Sequence, residues 1–217
     1  MRRTAEIATK EAIPGGVWPP HEVFYIESML LCTTAALRAA DDVSDALEAG
    51  TEYSPLSREW QQYAMTIVNG VQSLAVQGAA LSRYFWPARA KEPHLSRAAR
   101  LREGFAITES SPLRNRDLRN QLEHFDENLD AFCYTLMAGI ILPSYVGPQR
   151  AESEVPTHLF RAYYTDIGVF EILGRRLEMQ PVLDEIQILH GRLLRCAKQG
   201  GRVPYAKGRK SQRADRK

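Results

Sequence analysis

Apolar side chains recur every three or four positions over most of this chain, which is the period of an amphipathic helix. The pattern predicts a first helix over 21–49 and a second between Pro55 and Pro87, because proline interrupts a helix. A shorter helix is expected over 96–107 and a further long one over 112–138. Helices of this length with short connections favour a bundle whose apolar seams face inward.

The period changes after Pro156, where aromatic and β-branched residues surround two turn signals, Thr165-Asp166 and Gly174. This pattern predicts a small β-hairpin or meander. A final helix is expected over 181–198, because Pro181 suits the first turn of a helix. The predicted fold class is therefore mainly α: a helical bundle of about four long helices with a small C-terminal β-hairpin and a final helix.

The same pattern divides the chain into four segments. An irregular N-terminal segment covers 1–20, the helical bundle covers 21–145, and the hairpin with the final helix, over 156–199, packs on the bundle. The last segment, 200–217, has seven basic residues against one acid and almost no apolar side chain, so we expect a disordered basic tail. Such a tail could contact a polyanion, fold back on the acidic remainder of the chain, or serve only to keep the protein soluble.

The composition, 44% hydrophobic and 25% charged residues over 217 positions, is that of a globular protein and excludes collagen-like and wholly disordered chains. Every apolar run is shorter than the roughly 18 residues of a membrane span, and the first 20 residues lack the apolar core of a signal peptide. We therefore expect a cytoplasmic protein with no membrane partner. Cys32, Cys133 and Cys196 are too scattered for a disulfide framework or a zinc motif and are expected to be buried.

The predicted helix over 112–138 carries the most informative pattern. An advance of about 100° per residue separates a group of polar side chains from the apolar stripe that would face the core. The stripe consists of Leu118, Leu122, Phe125, Leu129, Phe132 and Leu136, and the polar group of Arg119, Asn120, Glu123 and His124. An ordinary ion pair between Arg119 and Glu123, with a solvated Asn120 and His124, would produce the same pattern.

The run Arg119-Asn120-Gln121-Leu122-Glu123-His124 resembles the Arg-Asn-x-x-x-His signature of the HEPN superfamily, which those proteins carry on a helix of an all-helical domain. The resemblance implies a metal-independent endoribonuclease that cleaves RNA as a homodimer, needs no cofactor, and acts in a toxin or defence system. Other members bind nucleic acid or a protein without cleaving, so the resemblance also allows a non-catalytic binding or scaffolding module. A cognate protein inhibitor would be a further partner.

The resemblance assigns catalysis to Arg119, Asn120 and His124. An imidazole exchanges protons near neutral pH, a guanidinium stabilises the negative charge of a phosphorane, and an amide could fix the imidazole or the phosphate. Arg114, Arg116 and Glu123 would contact the substrate or orient Arg119. Because Arg119 and His124 point about 140° apart on a straight helix, the geometry favours a site that two copies of the motif complete across a two-fold axis.

Charge around the motif leaves the substrate open. Nine basic residues against four acids between Arg83 and Arg119 favour an anionic ligand. Asp126, Glu127 and Asp130 follow closely, however, and would repel a phosphate. The sequence contains no di-iron, EF-hand, P-loop or dinucleotide-binding pattern, so no metal and no cofactor is expected.

Overall fold

A computed structural model describes residues 17–115, 120, 122, 124–134, 138–150 and 154–205. Within these residues the chain forms five α-helices and one four-stranded sheet. Two long helices, α1 (Glu22–Gly50) and α2 (Arg58–Phe85), pack against each other along their length. They confirm the first two predicted helices. Ser57 begins α2 as its N-cap, since its Oγ accepts a hydrogen bond from the amide of Trp60 at 3.1 Å.

The helices α3 (His94–Phe105) and α5 (Met179–Lys198) also lie where the periodicity predicts them. Ala106, with a φ of +49°, ends α3 in the left-handed conformation, and the guanidinium of Arg192 from α5 donates to the carbonyl oxygen of Phe105. On the other side, α5 packs against α1, where His190 Nδ1 lies 2.8 Å from Thr33 Oγ1. These contacts attach the last helix to both neighbours.

The predicted fold class is wrong first at the helix expected over 112–138. Pro112–Arg114 forms a single 3-10 turn, and Asn115 has a ψ of 104°, which lies outside the helical region. The buried side chain of Leu113 fixes this turn beside Gly78 of α2, and the turn therefore does not continue the direction of a long helix. The described helix of this segment, α4 (Phe125–Tyr134), has ten residues and ends before 138.

The fold class is wrong again at the predicted hairpin, which is part of a four-stranded mixed sheet in the order β1-β2-β3-β4. The strands β2, β3 and β4 form an antiparallel meander, and β1 pairs with β2 in parallel. Pro143 is tolerated in β1 because an edge strand has one side without ladder hydrogen bonds. The strands are β1 (Ile140–Gly147), β2 (Thr157–Tyr164), β3 (Val169–Ile172) and β4 (Arg175–Glu178).

The turn predicted at Gly174 is confirmed between β3 and β4. Leu173 and Gly174 have φ angles of +50° and +74°, the pair of left-handed conformations that a two-residue hairpin turn requires. One buried cluster then joins the sheet to the helices, because Phe170 and Ile172 of β3 pack into the same core as Ile26 of α1 and Phe85 of α2. The sheet and the helices therefore share one hydrophobic core.

By length and composition alone, the stretch Pro19–Gly50 is the one described segment apolar enough to cross a membrane. Only 28% of its most apolar window is buried, although α1 contributes Ile26, Met29 and Ala36 to the core. Core helices of soluble proteins can meet the same criterion. The described residues therefore leave much of this apolar helix uncovered.

Candidate functional site

The described part of the apolar stripe packs against the core, as the periodicity predicts, whereas Leu118 and Leu136 lie outside the described residues. Leu122, Phe125, Leu129 and Phe132 are each partly buried against the core cluster, whereas Asp126, Glu127 and Asp130 are exposed. No residue of α4 is fully buried. The described helix α4 therefore lies at the surface, and His124 precedes it in a turn.

His124 is the predicted catalytic residue that the structure describes best. Its side chain is 61% exposed, and its Nδ1 lies 3.7 Å from Oε2 of Glu127. The contact with Asn120 runs through the backbone, since the amide of His124 donates to the carbonyl oxygen of Asn120 at 3.1 Å. The same carbonyl accepts from Nδ2 of Asn128 at 3.5 Å. An exposed imidazole with one nitrogen facing a carboxylate is available for proton exchange.

Three of the predicted site residues, Arg116, Arg119 and Glu123, lie outside the described residues. The pairing of Arg119 with His124 or Glu123 therefore stays a prediction. Arg114 is described and points to a neighbour in sequence: its Nη1 lies 3.1 Å from Oε2 of Glu109 and donates to the carbonyl oxygen of Glu109. The side chain of Arg114 is thus engaged in a local contact.

The guanidinium of Arg161 on β2 contacts α4. Its Cζ lies 4.5 Å from the ring centroid of Phe160 and 5.7 Å from that of Phe125, the residue after His124. Its Nε is buried and finds no acceptor among the described residues, and burial lowers the pKa of Arg161. Sequence analysis missed Arg161, because an isolated arginine in the aromatic strand run LFRAYY shows no helical spacing to the motif.

A buried ion pair lies at the amino-terminal end of α1, far from the motif in sequence. Nη2 of Arg100 donates to Oε1 of Glu22 at 3.0 Å and to the carbonyl oxygen of Val203, and Nη1 donates to that of Pro204 at 2.7 Å. The other carboxylate oxygen of Glu22 accepts from the amide of Val203 at 3.1 Å. The ring of Tyr205 lies 4.1 Å from the Arg100 guanidinium. We call these five residues the C-terminal latch.

Exposed cations lie on the segments that meet at the C-terminal latch, together with the exposed Glu92. The connection from α2 to α3 passes this end of the molecule, since Arg97 of α3 contacts the ring of Tyr25 and donates to the carbonyl oxygen of Arg83. The residues that follow α5 also lie at this end, because Gly201 packs against Val23. We call the exposed cations of this region the basic end: Arg89, Lys91, Arg195, Lys198 and Arg202. The basic residues from 207 onwards continue from Tyr205, outside the described residues.

The opposite end of α1 is acidic. A cavity of about 430 Å³ is open to solvent there, and Tyr53 and Tyr63 stack in its wall with ring centroids 5.6 Å apart. Three acids line the same cavity, and two more precede them on α1. We call this group the acidic end: Asp41, Asp42, Asp45, Glu48 and Glu52. The charge of the folded chain is therefore separated along the axis of α1.

The cysteine prediction is wrong in part. Cys196 is buried and Cys32 is half-buried, but Cys133 is exposed on α4. Burial raises the pKa of the Cys32 thiol, an effect that Arg83 opposes, and burial likewise raises the pKa of Cys196. Among the described residues, no group of three or more His, Cys, Asp or Glu side chains is arranged to hold a metal ion.

No protein-family model, curated protein or solved structure matches this chain.

Proposed function

We propose that this chain is a non-catalytic RNA-binding module whose ligand lies on the basic end. Phosphate backbones are held mainly by lysine and arginine side chains that displace counterions. The segment 200–217 carries seven such side chains against one acid, and the exposed cations of the basic end continue this charge onto the folded surface. A flexible or extended polyanion can contact the segment 200–217 and the basic end at the same time.

The observation that carries the proposal is the C-terminal latch. It fixes Val203, Pro204 and Tyr205 among the exposed cations, so the basic segment begins at a defined point of the folded surface. Tyr205 is 67% exposed, and the Arg100 guanidinium lies on its ring. An exposed aromatic ring among cations is the combination on which single-stranded RNA stacks its bases.

The proposal is tested by fluorescence anisotropy with a labelled single-stranded RNA of 20 nucleotides at 50, 100 and 200 mM KCl. Ending the chain at Tyr205 removes six basic residues, so affinity is expected to fall at least tenfold. The slope of log K against log salt is expected to fall by about four, because each single-strand phosphate contact contributes about 0.7. The double substitution Arg150→Gln and Arg175→Gln removes two cations outside the basic end and is the control for a general loss of positive charge.

Equal affinity and equal salt slope for the shortened chain would contradict the proposal. A loss of affinity per removed cation that is as large in the Arg150 and Arg175 control as in the shortened chain would show that RNA responds only to net charge. Circular dichroism of each variant verifies that a lost affinity does not reflect unfolding.

His124 supports a second candidate function, the metal-independent endoribonuclease that the HEPN resemblance implies. Its exposed imidazole faces Glu127 through Nδ1, and an imidazole held in this way can exchange a proton through Nε2. Negative charge lies close to His124 on Asp126, Glu127 and Asp130, and it opposes the approach of a phosphate. Catalysis is therefore the second candidate and not the first. Arg119 and Asn120 would supply the remaining polar groups, and a second copy of the motif would complete the site.

Cleavage of a mixed RNA in EDTA distinguishes the two functions. Activity that survives chelation and is lost in His124→Ala and in Arg119→Ala supports the ribonuclease. Intact RNA in the presence of a wild-type protein that binds it supports the non-catalytic module. Leu56→Ala, which truncates a 90% exposed leucine outside the motif and the basic end, is a control that both functions expect to be neutral.

A further inference from the structure

We propose that the guanidinium of Arg161 binds the oxyanion of a small ligand at the junction between β2 and α4. The ligand class is a carboxylate or a phosphate monoester on an apolar body. This proposal goes beyond RNA binding, since none of its residues belongs to the basic end or to the C-terminal latch.

Two aromatic rings hold the half-buried side chain of Arg161. Its Cζ lies 4.5 Å from the ring centroid of Phe160 on the same strand and 5.7 Å from that of Phe125, the first residue of α4. The two rings also contact each other, with centroids 5.7 Å apart, and both are partly buried against the main core. Because these rings restrict the guanidinium, a ligand would meet a donor group that is already positioned.

The described chain leaves the hydrogen-bonding groups of Arg161 unused. Among the described residues, its buried Nε has no acceptor, and neither Nη nitrogen has a hydrogen-bond or ion-pair partner. Burial lowers the pKa of Arg161, and no described carboxylate opposes this shift. A buried polar group without a partner costs free energy and calls for a cause outside the contacts of the folded chain. The two Nη nitrogens are not buried as Nε is, so an oxyanion can reach them.

Other arginines of the folded chain have carboxylate partners. Arg100 pairs with Glu22 at the latch, and Nε of Arg176 on β4 donates to Oε2 of Glu171 at 2.8 Å. Arg161 lies in the same sheet as Arg176 and is more deeply placed, yet it lacks such a partner among the described residues. A ligand that supplies the carboxylate or phosphate would complete at Arg161 the contact that Glu171 completes at Arg176.

The surroundings of Arg161 favour one oxyanion over a polyanion. A phosphate backbone is held by several cations at once, whereas the neighbouring helix α4 exposes three acids, Asp126, Glu127 and Asp130. A planar guanidinium matches two oxygens of a carboxylate or a phosphate in a bidentate contact. Phe125 and Phe160 supply an apolar wall beside it. The ligand that fits therefore carries a single oxyanion group on an apolar body.

Isothermal titration calorimetry with benzoate and with phenyl phosphate, at constant ionic strength, tests the proposal. The two compounds share a phenyl ring and differ in the oxyanion, so they separate a carboxylate ligand from a phosphate ligand. At least one is expected to bind with a dissociation constant below about 5 mM. Benzyl alcohol has the ring without the charge and is expected not to bind.

Arg161→Met and Arg161→Lys test whether the guanidinium is responsible for binding. Methionine keeps apolar contact with the two rings, and lysine keeps the charge without the planar fork. The affinity for the oxyanion compounds is expected to fall at least tenfold in both variants. Arg176→Met removes an arginine of the same sheet that Glu171 already pairs, and this matched control is expected to bind like the wild type.

Thermal unfolding separates a ligand-binding arginine from a structural one. Without ligand, Arg161→Met is expected to melt at a higher temperature than the wild type, because it removes a buried nitrogen that has no acceptor. The proposal is overturned if neither oxyanion compound binds the wild type, if Arg161→Met binds them as tightly, or if Arg161→Met melts at a lower temperature. RNA affinity is expected to be unchanged in Arg161→Met, so each outcome is independent of RNA binding at the basic end.

Discussion

Glu22 and Arg100 form a buried ion pair that connects the first helix to the carboxyl-terminal segment. Their side chains are 3% and 7% exposed, and Nη2 of Arg100 lies 3.0 Å from Oε1 of Glu22. Between them, the two side chains satisfy the backbone amide of Val203 and the carbonyl oxygens of Val203 and Pro204. The pair therefore supplies the hydrogen-bond partners of Val203 and Pro204, which belong to neither a helix nor a strand.

We expect Arg100→Ala to lower the free energy of unfolding by about 3 to 5 kcal/mol, because it leaves the Glu22 carboxylate buried without its partner. Urea denaturation measures the change, and limited proteolysis at Arg202 reports release of the segment. Arg114→Ala removes a solvent-exposed ion pair with Glu109 and is expected to cost about 1 kcal/mol or less. A loss of stability in Arg100→Ala as small as that expected for Arg114→Ala would show that the latch adds little stability.

Gly70 permits the close approach of α1 and α2. A Cβ at this position would lie 2.5 Å from Cγ2 of Val43 and 3.0 Å from the carbonyl oxygen of Ala39, so Gly70→Ala requires the helices to separate. We expect a lower melting temperature, although alanine favours a helix over glycine by about 1 kcal/mol. A Cβ at Gly191 on α5 would meet only the end of the Arg195 side chain, at 3.9 Å. Gly191→Ala is therefore expected to raise the melting temperature. A stabilising Gly70→Ala would contradict the packing of α1 on α2.

The three cysteines are expected to react with a thiol reagent at different rates. At pH 7.5 Cys133 should react first, since it is exposed, and Cys196 should react slowly, since it is buried and its raised pKa keeps it protonated. The rates of Cys32 and Cys196 should continue to rise above pH 9, because burial raises the pKa of both thiols and their thiolate fractions are still increasing there. Stopped-flow absorbance measures the phases, and Cys133→Ser should remove the fast one. A fast phase that persists in this variant would place a second thiol at the surface.

The spacing of apolar residues was sufficient to predict α1, α2, α3 and α5, because each buries one continuous stripe and ends near a proline or glycine. It failed for the helix expected over 112–138. Leu113, near the start of that range, packs beside Gly78, whereas Phe125, near its middle, packs beside Phe160. Periodicity shows that residues are buried and does not show that they are buried against the same element.

The sheet could be predicted only in part. The turn at Gly174 and the aromatic run before it have a local signature, and they became β2, β3 and β4. The strand β1 has none, because its pairing with β2 is parallel and depends on contacts distant along the chain. The run from Ile140 to Leu142 is too short to distinguish a strand from the end of a helix.

For the candidate sites, local sequence determined the charges and the exposed imidazole, whereas tertiary structure determined which groups are neighbours. The basic composition of 200–217 and the polar placement of His124 follow from residue type and helical period. That Arg100 is buried against Glu22 and Val203, residues 78 and 103 positions away, does not follow from either. A buried charge is stabilised by partners that the folded chain brings together. Which residues become those partners depends on packing across the whole core.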